Sequence, residues 1–440
     1  MKILLSLSCA LLLAACATVS AAPDASDSLD AIAEDYVRLQ LVIGEKEEGY
    51  IDAYYGPPER RAQARAQAAA ANLPQLRERT GALLARIGGV EAASSWPAGS
   101  IEARRPAFLR AQLVAADTRL RMMQGERLGF AEEAQGLFGV RPEIRPLPAY
   151  DPLLARIERL VPGAGALAER VDAFQSRFTI PAARLDAVMR AAIAECRRRT
   201  LEHIALPPEE RFTLEFVTGR SWSGYNWYQG NYRSLIQINT DLPARISRAV
   251  DLGCHEGYPG HHVHNMLLER NLARARNWVE YSVYPLYSPQ SLIAEGSANY
   301  GYELAFPGGE RLAFEAGTIY PLAGLPTADA ARYLELQEAL EELAGARFTI
   351  ARDLLEGRIS RAEAVRLTQR YQLVSAQRAE QSIAFTEQYR SYVINYGLGR
   401  DMVAAFIEAQ GPDQATRWRA MERLLSEPTL PSDLLVAARN

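Results

Sequence analysis

The chain has 440 residues, of which 48% are hydrophobic and 23% charged, and 53 acidic residues against 49 basic ones leave a formal net charge of −4. Those values exclude wholesale disorder, a collagen-like fibre and a polytopic membrane protein, and a chain this long can bury a core without disulfides or structural metals. Lys2 and Lys46 are the only lysines, and the arginines are interspersed with acids. No global positive field is therefore expected to recruit nucleic acid or anionic lipid.

Lys2 and the apolar run Ile3 to Leu13, broken by Ser6, Ser8 and Cys9, have the form of a signal peptide. The run is too short for a membrane span, which needs about 20 apolar residues. Leu13-Ala14-Ala15-Cys16 resembles the bacterial lipoprotein processing box, in which Cys16 is lipidated and begins the mature chain. Cleavage near Ala21 or Ala22 is the alternative. Residues 1–22 are thus read as a signal segment, export as the destination, and a lipid anchor as the one membrane contact. Residues 23–440 are read as a single large, mostly helical region. Cys196 and Cys254 are expected as two buried free thiols, with pairing in an oxidising compartment as the alternative.

Helical periodicity dominates the body. Leu29, Ile32, Tyr36, Leu39 and Ile43 recur at spacings of three and four between Ser28 and Gly44. Pro58 opens a run to Ala71, Pro74 one closed by Gly88-Gly89, and Pro106 one reaching Gln124. Gly88 to Ser100 reads as a loose connection. Phe212 to Asn239 breaks the rhythm: it is rich in aromatics and glycine, and Ser234 to Asn239 partly alternates as a strand does. Asp241 and Pro243 then look like the cap and first turn of a new helix. Ala328 to Leu355 is helical again, and Ser360-Arg361-Ala362-Glu363 has capping-box form at the head of a helix towards Tyr389. The fold class expected is mainly α, with a small β element at about 212–239 beside the functional site.

Four of the five histidines fall within Cys254-His255-Glu256-Gly257-Tyr258-Pro259-Gly260-His261-His262-Val263-His264. His203, the fifth, is read as a packed or surface residue. Imidazoles clustered beside a glutamate are the donor set that zinc hydrolases use. The His-Glu-x-x-His spacing is absent, because Pro259 stands where its second histidine would be. Six residues of straight helix rise about 9 Å and turn away from the starting face, too far for two ligands of one ion. The chain must bend after His255, and Gly257, Pro259 and Gly260 permit it. The bend could present His261 or His262, and His261 with His264 is a third possible pair. Glu295, set among small and apolar residues after Pro289, is the best third ligand.

Residues 255–262 as His-Glu-Gly-Tyr-Pro-Gly-His-His, Glu295-Gly296-Ser297-Ala298, Tyr396-Gly397-Leu398-Gly399 and Asp52-Ala53-Tyr54-Tyr55-Gly56-Pro57 together resemble the bacterial domain of unknown function 885 family. That family is similar to largely helical zinc peptidases, including the Taq-type carboxypeptidases. The resemblance implies a zinc ion held by His255, His261 and Glu295, with Glu256 as general base. Ser297 stands where relatives often carry an aromatic residue. Tyr396, followed by glycines, is the expected oxyanion donor, with a merely packed tyrosine as the alternative. The strand Ser234 to Asn239 could pair with an extended peptide substrate, or be ordinary sheet. A zinc-dependent metallopeptidase is expected, and a non-catalytic metal- or peptide-binding lipoprotein is the second reading.

Overall fold

Helices pack helices over almost the whole molecule, a computed structural model that describes residues 28–437 apart from Ala98. The segment 1–22 and Cys16 lie outside the described residues. One hydrophobic cluster draws on residues from Ile32 to Leu434, and a smaller one joins Phe108, Leu268, Leu272, Trp278 and Tyr281. No helix among the described residues is long and apolar enough to cross a membrane.

Caps rather than prolines decide where several helices begin. The Ser28 side chain accepts from the Ala31 amide and opens Leu29–Gly44 as expected. Ser100 caps Ala103 in the same way, so that helix runs Ile101–Met123 and carries Pro106 inside it. Asn72 and Gln75 form a reciprocal capping box for Leu73–Ala93, which passes through Gly88 and Gly89 instead of ending there. Ser360 does cap Glu363. The long helices expected after it and after Ala328 are each divided, into Arg361–Gln372 and Ala376–Tyr389, and into Ala330–Glu341 and Ala344–Leu355. Leu373, at φ +51°, makes the first of those breaks.

Two small sheets interrupt the helices. β1 (Ile51–Tyr54) pairs antiparallel with β5 (Val283–Pro285). β2 (Arg211–Val217), β3 (Gly224–Gly230) and β4 (Arg233–Asn239) form a sheet of order β2-β4-β3, with β4 parallel to β2 and antiparallel to β3. β4 is therefore paired on both sides and has no edge to offer a peptide, contrary to the expectation for Ser234 to Asn239. The free edges belong to β2 and β3. Asp241 and Pro243 do not start a helix either. The Asp241 carboxylate accepts from the Gly219 and Arg220 amides and closes the loop of this sheet, and the next helix begins at Ser247.

The centre of the fold is the helix Pro289–Ala305, buried nearly all round. It lies against Ile394–Glu408, where a Cβ on Gly296 would sit 2.5 Å from the carbonyl group of Gly399. Only glycine lets these backbones approach so closely.

Candidate metal centre

The histidine cluster begins on a wide π turn, Gly253–Gly257, packed against the helix Ala182–Leu201. Cys254 and Cys196 of that helix form a disulfide across a Cα separation of 5.4 Å. The expectation of two free thiols is thus corrected: helix packing, invisible in the sequence, brings the two backbones within bridging distance. After the π turn comes a cis Tyr258–Pro259 bond, and the Gly260 amide returns to donate to the Cys254 carbonyl at 3.0 Å. A Cβ on Gly260 would lie 1.8 Å from the His255 carbonyl oxygen, so this bend requires glycine. A new helix, His261–Leu268, starts directly afterwards.

The bend brings the His255 and His261 rings to 4.6 Å between centroids, at right angles. Glu295 enters from the central helix, with Oε2 3.2 Å from His255 Nε2 and Oε1 3.7 Å from His261 Nε2. Ligand atoms of these three residues all lie within 4.8 Å of one another, and theirs is the one such group among the described residues. His262 points elsewhere. Its Nδ1 meets the Ser234 hydroxyl at 2.7 Å and its Nε2 the Glu210 carboxylate at 3.0 Å, and all three side chains are buried. His264 is also buried, and burial pushes its pKa down to about 3. His203 is exposed and stacks on Trp418.

The donors are aimed by neighbours that the sequence did not single out. Asn299 gives its amide N–H to the Tyr396 carbonyl at 3.1 Å, which turns its oxygen towards His255 Nδ1, 3.0 Å away. His255 Nδ1 therefore donates, leaving Nε2 to face Glu295 and His261. Tyr392 donates to Glu295 Oε1 at 2.7 Å. Asn299 lies one helical turn beyond Glu295, and Tyr392 one turn before Tyr396, the one sequence signal that could have found them.

These groups fit a divalent cation. Glu295 Oε2 is buried and makes no hydrogen bond, even though an imidazole nitrogen stands 3.2 Å away. The two atoms address a common point rather than each other. Burial alone would lower the His255 pKa, yet the adjoining Glu295 carboxylate and the charge of Glu256 lift it to about 9. Burial holds His261 down at about 4, so it presents a neutral lone pair at pH 7. Burial opposes ionisation of Glu295, but His261, His255 and Tyr392 bring its pKa below the ordinary value. With the His255 proton displaced by an ion, two imidazoles and a carboxylate would form a donor set suited to zinc.

Glu256 sits beside this set without belonging to it. Its carboxylate is buried, has no hydrogen bond or ion pair among the described residues, and is raised by burial to about 7. Asn226 of β3 donates to its backbone carbonyl at 2.6 Å. Tyr396 is half-buried, with its ring 6.5 Å from that of His255 and its pKa raised by burial. His255, Glu256, His261, Glu295 and Tyr396 all line one cavity of about 1580 Å³. The Gly224–Asn226 end of β3 lines it too, which places the small sheet beside the site.

No family model matches the sequence, and no curated protein matches it either. Among solved structures, a protein of Colwellia psychrerythraea described as a lipoprotein is similar at 15% identity and a TM-score of 0.49, covering 84% of this chain and 69% of that one. The M32 carboxypeptidase of Deinococcus radiodurans R1 is similar at 13% identity and a TM-score of 0.47, covering 93% of each chain. Trypanosoma cruzi metallocarboxypeptidase 1 gives 12% identity and 0.45, covering 93% of this chain and 95% of that one. Likenesses this loose carry no conclusion about activity or site.

Proposed function

We propose that residues 23–440 form an exported, zinc-dependent metallopeptidase. The observation that carries the reading is the convergence of His255, His261 and Glu295 on one point, with the unpartnered Glu256 carboxylate beside them in an open cavity. His255, His261 and Glu295 would hold a zinc ion, which would supply a Lewis acid that lowers the pKa of water to about 7. Glu256, raised by burial to about 7, is poised to take the proton of the attacking water and deliver it to the leaving amine. Tyr396 offers a hydroxyl to the oxygen on which charge develops. The free edge of β3 suits an extended peptide running into the cavity. A pure binding site has no need of Glu256, which ranks the non-catalytic lipoprotein second.

Arg347 supports a carboxypeptidase-like form of the activity. It lines the cavity over the Phe385 ring, 5.2 Å from its centroid, and makes no ion pair or hydrogen bond among the described residues. Such a cation suits the free carboxylate of a peptide end. The Cys196–Cys254 disulfide supports an oxidising compartment and hence export. Lipidation of Cys16 is part of the same proposal, and the intact mass of the membrane-bound protein tests it: a mature chain starting near Ala22 without acyl mass rejects it.

The test of function is metal analysis with peptide hydrolysis before and after chelation. About one zinc per chain is expected, with activity lost on chelation and restored by zinc. Hydrolysis that persists in metal-free protein contradicts the proposal.

A further inference from the structure

A second carboxylate enters the cavity by a different route. β1 and β5 slip register between Ile51 and Ala53, which oppose Pro285 and Tyr284, so Asp52 is the extra residue of a bulge. Bulges re-aim a side chain, and this one puts Asp52 on the wall that also carries His255, His261 and Glu295.

The surroundings of Asp52 are aromatic and anionic. Its Oδ1 accepts from the Tyr225 hydroxyl at 2.9 Å. Tyr225 is stacked on Trp222 at 5.5 Å. Burial raises the pKa of Tyr284, Tyr389 and Tyr392, and the Asp52 charge adds to the rise in each, so all three stand within its electrostatic reach. These tyrosines line the same cavity. No arginine or histidine pairs with Asp52 among the described residues, and burial, with the Glu295 charge, raises its pKa to about 7, so a cation beside it would favour its ionised form. A partly desolvated carboxylate without a counter-ion is costly in the free protein. A carboxylate flanked by aromatic rings is also the chemistry that recognises an ammonium group.

We propose that Asp52, with the rings of Tyr225, Tyr284, Tyr389 and Tyr392, forms a subsite for a cationic amino group of the substrate. The inference rests on the peptidase reading and deepens it, since it names the chemistry of the substrate beside the metal centre. The cation is either the free α-amino group of a short peptide or the ammonium of a basic side chain.

Binding to zinc-loaded protein carrying Glu256→Gln tests this without depending on turnover. Four probes are titrated by calorimetry: Ala-Ala, N-acetyl-Ala-Ala, N-acetyl-Ala-Lys and N-acetyl-Lys-Ala. At least one ammonium-bearing probe is expected to bind about tenfold more tightly than N-acetyl-Ala-Ala, the scale of one charge-assisted contact. Preference for Ala-Ala identifies the α-amino group, and preference for a lysyl probe the side chain. Adding Asp52→Asn, which keeps an acceptor for Tyr225, should bring all four within about twofold of one another; Asp52→Ser gives the same reading should the amide not fold. Equal or unmeasurable binding of all four probes overturns the proposal, as does an equal loss for all four in the Asp52 variants. Absence of hydrolysis in the wild type would sink the peptidase reading and leave this result standing.

Discussion

His261 and His262 are neighbours in sequence with separate surroundings. His261 faces Glu295 and His255, whereas His262 is spanned by Ser234 and Glu210 in the interior. His261→Ala should abolish zinc binding at little cost to the fold. His262→Ala should keep the metal and lose about 1–3 kcal/mol of stability, because two buried polar groups lose a partner. Zinc content and urea denaturation of both variants check this; a His262 variant without zinc reverses the assignment. Glu210 adds a pH dependence. Burial would raise its pKa, but bonds from His262, Tyr258 and Arg197 hold it at about 2. Its folded value lies below the unfolded one, so its contribution is complete above about pH 4.3 and is lost as pH falls towards 2. Denaturation at a series of acid pH values should show that slope, and Glu210→Gln should flatten it. The need for a bend after His255 was legible because glycine and proline mark it, whereas the choice between His261 and His262 was not, because it depends on how the chain turns at Pro259 and Gly260. Asn299, Tyr392 and Asp52 were not, since a single polar residue on a helix or strand shows its partner only once the chain is folded.

Among the elements, the central helix pair sets the geometry of the centre. Gly296→Ala would drive a Cβ into the backbone of Gly399 and push apart the helices that carry Glu295 and Tyr396. We expect a loss of about 1–3 kcal/mol, the usual cost of overpacking, together with weaker zinc binding. Urea denaturation and zinc titration measure the two effects; an unchanged variant would mean that the close approach is not needed. Helix existence was readable from periodicity, and the π turn was foreshadowed as a required bend. Boundaries were less readable, because a side-chain cap fixes a helix start that a nearby proline only suggests: Ser100 and Asn72 hold amides that Pro106 and Pro74 cannot replace. The alternation of β4 identified a strand but could not reveal that β2 and β3 would flank it, since partners across a sheet are set by the whole chain.

At the scale of the molecule, the proposed chemistry depends on a cavity whose walls come from segments far apart in the chain. Asp52, Tyr225, His255, Glu295, Arg347 and Tyr396 span more than three hundred residues and line one space. A mainly helical fold was legible from composition and period. The cavity was not, because it is the volume that helices leave unfilled. The central claim is that Glu256 moves the proton while His255, His261 and Glu295 hold the metal. Zinc content and peptide turnover of Glu256→Gln and Glu295→Gln, compared at saturating zinc, test it most directly. The account predicts that Glu256→Gln keeps its zinc and loses about 10²–10⁴-fold in turnover, since an amide cannot accept the proton. Glu295→Gln should lose zinc affinity first and activity as a consequence. Turnover in Glu256→Gln above about a tenth of wild type, against that expected loss, would contradict the account.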